Sequence, residues 1–128
     1  MISFPQLSQN LKTPIWIYSI DQGYVIWAND SALDVWESDS LEELRSRDLK
    51  KEMSEVVATT LLYYRSVFEK GEAIQTWWHL SPKNKVKKIL FHFSGIDLEN
   101  GEKAMLAEVL AFSEHSNNAV LFDSNGDM

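Results

Sequence analysis

The chain has 128 residues, 45% of them hydrophobic and 24% charged, with a formal net charge of −7 at pH 7 and no cysteine. One domain of this size buries a real core, but an acidic surface neither displaces counterions from a nucleic acid nor docks on anionic lipid. Disulfides, thiolate metal sites and thiol nucleophiles are excluded outright.

MISFPQLSQNLK lacks the basic start and sustained apolar stretch of a signal peptide. No apolar run nears the roughly 20 residues needed to cross a bilayer. A cytoplasmic module without direct membrane contact is expected. Within the first twelve residues Phe4, Leu7 and Leu11 share a helical spacing, so a short helix or cap is expected over 4–11. Pro14 ends it.

Residues 15–20 are rich in β-formers, Asp21-Gln22-Gly23 supplies a tight turn, and 24–28 returns as a second strand. Asn29 then caps a helix over 30–36, with Asp30 in the first turn to suit the helix dipole. Ser40-Leu41-Glu42-Glu43 has the Ser and Glu spacing of a capping box, which predicts a second short helix from Ser40. The longest helix is predicted over 54–70, with Val57, Leu61, Tyr64 and Phe68 on one stripe and Gly71 as a left-handed stop.

After Gly71 the period changes to two. Strands are expected over 73–80, 86–96 and 103–112, joined by turns at Ser81-Pro82-Lys83-Asn84 and Asn100-Gly101. Such short connections favour antiparallel neighbours. Strands on either side of a group of helices define an α+β arrangement: a five-stranded antiparallel sheet with helices over one face. The polar run SEHSNN follows as a linker. AVLFDSNGDM then repeats, in weaker form, the hairpin pattern IWIYSIDQGYVIWAN, with Asp123 in the place of Asp21. Residues 13–113 are therefore expected to form one module. The expected role of 114–128 is a linker and the truncated start of a second module, making the chain a piece of a longer protein.

The hairpin ending in Trp27-Ala28-Asn29, the helix Ala32-Leu33-Asp34-Val35-Trp36, the helix Ser40-Leu41-Glu42-Glu43-Leu44 and the hairpin over 95–107 together resemble the PAS domain, a family of sensory modules in signalling proteins. The resemblance covers about 13–112. It implies a PAS-like five-stranded antiparallel sheet, a ligand cavity between sheet and helices, and no chemistry of the module's own. It also implies an attached output domain, such as a diguanylate cyclase (GGDEF), a cyclic-diguanylate phosphodiesterase or a histidine kinase. Homodimerisation is the family's habit.

The aromatic side chains suggest the pocket, because tryptophan combines apolar bulk with one N–H donor. The ligand-binding candidates are Trp27, Asn29, Trp36, Tyr63, Tyr64 and Trp78, joined by His92 between two phenylalanines and by Glu108 on an otherwise apolar strand face. Trp77 and Trp78 must point to opposite faces, so one is expected on a covered outer surface.

Three histidines without paired spacing predict no metal site. The haem-binding mode of some PAS domains uses a histidine on the long helix, which has none, and the covalent flavin photoadduct needs a cysteine. The cofactor is thus unassigned, with non-covalent flavin left open. Lys83, Lys85, Lys87 and Lys88 read as a solvated turn rather than an anion site. No phosphate loop, Gly-x-Ser-x-Gly or His-Glu-x-x-His motif occurs, so no catalytic residue is assigned.

The expected function is a sensor that binds a small ligand or partner and biases its output domain. The alternatives are a ligand-free dimerisation module and, lower, a small enzyme of the ketosteroid-isomerase type.

Overall fold

The computed structural model describes residues 12–83 and 85–113. The expected helix over 4–11 and the second hairpin copy in 119–128 lie outside the described residues. Within them the order is β1 (Ile15–Ser19), β2 (Tyr24–Ala28), α1 (Asp30–Val35), α2 (Leu41–Arg45), α3 (Glu55–Glu69), β3 (Ile74–Leu80), β4 (Lys87–Asp97) and β5 (Lys103–Phe112). Every strand and helix expected there is present, with ends shifted by at most a residue or two.

The strands form one antiparallel sheet in the order β2-β1-β5-β4-β3. Two of the turns that the sequence signals close through glycines in the left-handed region, Gly23 at φ 84° and Gly101 at φ 89°, a conformation that costs glycine little. Across the β4–β5 pair the register slips between Leu90 and Phe91, a bulge near one end of the longest ladder.

Side chains alternate along each strand. Trp16 and Tyr18 of β1, Phe91 and Phe93 of β4, and Met105 and Ala107 of β5 are buried in one cluster with Leu61, Tyr64 and Phe68 of α3. The core therefore lies between one face of the sheet and the helices. At ~25 cal/mol per Å² of apolar surface removed from water, each of these large side chains contributes roughly 1.5–3 kcal/mol before entropy is counted.

Asn29 and Ser40 open their helices as the sequence proposed, and Ser54 caps the third. Asn29 Oδ1 accepts from Ala32 N, Ser40 Oγ from Glu43 N and Ser54 Oγ from Val57 N, at 3.0, 3.0 and 3.2 Å. The expected capping box is used differently on its glutamate side. Glu43 accepts from Ser38 Oγ at 2.5 Å and from Arg47 at 2.7 and 2.9 Å. A guanidinium fork four residues along the chain matches both carboxylate oxygens, which one backbone N–H does not.

Arg47 also donates to the carbonyls of Trp36 and Glu37, at 2.9 and 3.1 Å. This side chain ties the end of α1 to α2 and so fixes where Trp36 sits. Glu37 itself is at φ 55°. With Ser38 N donating to Leu33 O and Glu37 N to Asp34 O, it closes α1 in a Schellman turn that usually takes glycine. At its other end α3 crosses β4 at Gly95, where a Cβ would stand 2.6 Å from Phe68 Cβ.

Candidate functional site

A cavity of about 370 Å³ lies between the sheet and the helices, near the lower end of the ~300–1,000 Å³ typical of small-molecule sites. Its floor is the inner sheet face: Trp16, Tyr18, Trp78, Phe91, Phe93 and Met105. Val57 and Leu61 of α3 form one wall, and Trp36, held by Arg47, forms another. Leu49, Glu52, Met53 and Ser54, in the segment before α3, meet His79, Leu80 and Ser81 at the end of β3. Glu52, Ser54 and Ser81 are exposed, so the mouth opens here.

The rings interlock. Trp16 stands edge-on to both Trp36 and Phe91, each pair with centroids 5.4 Å apart. Phe91 stacks on Phe93 at 4.8 Å, and Phe93 meets Trp78 edge-on at 5.8 Å. Such pairs add roughly 0.5–1.5 kcal/mol each beyond burial. They hold the floor rigid, so the space above it is not erased by side-chain collapse. Trp78 Nε1 donates to Tyr64 Oη at 3.3 Å, satisfying the indole behind the wall.

Polar groups inside are few. Burial, with the nearby negative charge of Asp48 adding to it, pushes the Tyr18 phenol up to about 12, so it stays a neutral hydroxyl at physiological pH. Burial likewise raises Tyr64. Trp36 Nε1 is sealed from solvent with no hydrogen-bond acceptor in the structure.

Of the candidates read from sequence, Trp36 and Trp78 line this cavity. Tyr64 stands behind Trp78, while Tyr63 points outward, 64% exposed. Trp27 is half-buried on β2. Asn29 is fully buried and used structurally: Oδ1 also accepts from Ile15 N at 3.2 Å, and Nδ2 donates to Thr13 O at 2.8 Å. His92 and Glu108 are direct cross-strand partners, and both face away from the cavity, because their neighbours Phe91, Phe93, Ala107 and Val109 face it. Trp77 shares that outer face, with the Lys88 ammonium 5.5 Å above its ring.

Sequence reading missed the rim, Leu49 to Ser54 with His79 and Ser81. A loop has no periodicity to betray which way it faces. Trp16 and Tyr18 did carry a signal, since i and i+2 on a strand share a face.

Among the described residues no group of three or more histidine, aspartate or glutamate side chains converges as a metal would need. No described helix is long and apolar enough to cross a membrane.

No protein-family model matches the sequence, and neither does any curated protein. Solved structures do match. The PAS domain of nitrogen regulation protein NR(II) from Vibrio parahaemolyticus superposes with a TM-score of 0.59 at 15% identity, over 84% of this chain and 97% of that one. The PAS domain of BvgS from Bordetella pertussis gives 0.56 at 13% identity, over 90% and 88%. That of an HTR-like protein from Haloarcula marismortui gives 0.54 at 18% identity, over 83% and 86%. The chain thus has the PAS-domain fold, as its sequence suggested. At these identities the likeness establishes architecture, and function rests on the site.

Proposed function

We propose that this chain is a sensory module of a bacterial-type multidomain signalling protein. A small molecule entering the cavity shifts α3 and the rim segment against the sheet, and that shift biases an attached output domain, a diguanylate cyclase (GGDEF) or a histidine kinase. The observation that carries the reading is the cavity itself. It is walled by Trp36 and Trp78, floored by locked aromatic rings, and open at a polar mouth. A ligand that binds the folded chain stabilises it by mass action, by about 2.7 kcal/mol at a hundredfold excess over Kd. A metabolite screen by thermal shift, with native mass spectrometry of the purified chain, tests this. A ligand-dependent rise in Tm that Leu61→Trp abolishes supports the reading. No shift with any ligand counts against it.

The outer sheet face favours a second reading, a ligand-free dimerisation module. Leu110, which follows inward-facing Val109, is 47% exposed there. Sedimentation equilibrium discriminates, since a chain that stays monomeric at high micromolar concentration is no dimerisation module. The ketosteroid-isomerase-type reading fits poorly, because a hairpin precedes all the described helices and the sheet has the PAS strand order.

A further inference from the structure

The charge around the cavity is one-sided. Among the described residues its lining contains no lysine or arginine and one carboxylate, Glu52, which stands exposed at the mouth. Asp48 lies near enough for its charge to act on the Tyr18 phenol. Three of the cations around the cavity are engaged by other groups. Lys50 Nζ donates to Asp21 O at 3.2 Å, Arg47 is held by Glu43 and two carbonyls, and Lys87 Nζ donates to Val35 O at 2.6 Å.

An anion in this cavity would lose its water and meet no lysine or arginine of the lining in return. Carboxylates, phosphates and the propionates of a haem are disfavoured on the same ground. A cation meets the opposite situation. The faces of tryptophan and tyrosine rings attract it, the more so as it is desolvated. A carboxylate waits at the mouth.

We propose that the cavity accepts a small aromatic amine, its rings between the aromatic floor and Leu61 of α3 and its ammonium at the mouth beside Glu52. The proposal rests on the cavity being a ligand site, and it assigns the ligand's charge. Size is consistent, since about 370 Å³ holds a bicyclic ring with a short arm.

The test is isothermal titration of the 128-residue chain with three probes of one shape and different charge: naphthylethylamine, naphthylethanol and naphthylacetate. The titration is run at about pH 8. The amine is expected to bind at least about tenfold tighter than the acetate, with the alcohol between them. Glu52→Gln should weaken the amine about fivefold or more and leave the alcohol unchanged. Leu61→Trp, which fills the cavity, should abolish binding of the amine. Acetate binding as tightly as the amine overturns the charge assignment while the cavity stands as a ligand site. So does an amine affinity indifferent to Glu52→Gln. Amine binding that survives Leu61→Trp places the ligand elsewhere and overturns the proposal. If none of the three probes binds at millimolar concentration, the ligand-site reading fails with it.

Discussion

Gly95→Ala tests how α3 is seated on the sheet. Gly95 lies in β4 with ordinary strand geometry, so replacing it removes backbone freedom from the unfolded chain, a gain of about 0.5–1 kcal/mol. Against this, the new Cβ would lie 2.6 Å from Phe68 Cβ and 2.9 Å from Lys103 Cδ. The lysine tip can swing away. The Phe68 Cβ cannot, because it is fixed to the helix backbone and no rotamer moves it. Carbon atoms in contact sit about 3.5–4.0 Å apart, so the C-terminal turn of α3 must retreat by roughly 1 Å. Overpacking of this kind costs about 1–3 kcal/mol. The net expectation is a destabilisation of about 1–2 kcal/mol, or a Tm lower by roughly 5–10 °C. Urea unfolding followed by tryptophan fluorescence measures it as a lower midpoint at unchanged m. A Gly95→Ala protein as stable as the parent, or more so, would refute the steric account. Trimming Phe68 to Ala gives no rescue, since the Cβ stays where it was.

Asn29→Ala removes a fully buried side chain that accepts from Ile15 N and Ala32 N and donates to Thr13 O. The loss is expected near 2–4 kcal/mol by urea unfolding, above the ~1 kcal/mol of an ordinary cap. Glu43 is held down to about 2 from the usual 4.5, first by its hydrogen bonds to Arg47 and Ser38. The unfolded chain binds that proton first as pH drops, so the stabilisation is present above about 4.5 and is lost as pH falls toward 2. Glu43→Gln should flatten the slope of the urea midpoint in that window, and an unaltered slope speaks against the pairing. Glu37→Gly relieves a left-handed glutamate by about 1 kcal/mol and gives up the 3.6 Å pair with Lys87, worth up to about 1 kcal/mol at such a site. A small rise in the urea midpoint is expected for Glu37→Gly, and a fall for Glu37→Ala, which keeps the strain and loses the pair.

What was legible in the sequence was local. Asn29 and Ser40 announce helix starts because a short polar side chain can reach its own N-terminal amides, whatever surrounds it. Asp21-Gln22-Gly23 and Asn100-Gly101 announce turns for an equally local reason. The strand order was not written in any one segment. It required β1 to lie between β2 and β5, the latter more than eighty residues away, and no local pattern carries that pairing. The cavity was half legible. Trp36 and Trp78 stand on periodic elements, but the rim around Glu52 and His79 is assembled from irregular backbone. His92 and Glu108 show the converse limit. Each stood out as a polar residue among apolar ones, and pattern alone did not say that they face each other across two strands, with the sheet between them and the cavity.

The pairing of β1 with β5 has one more consequence. Ile15 lies opposite Glu108, and Val109 N donates to Pro14 O at 3.0 Å. Polypeptide thus arrives at the module and departs from it along adjoining rungs of a shared ladder. Anything joined upstream and anything joined downstream would be anchored to the same pair of ribbons, whose far sides carry Trp16 and Met105 on the cavity floor. A twist there would reach both attachments at once.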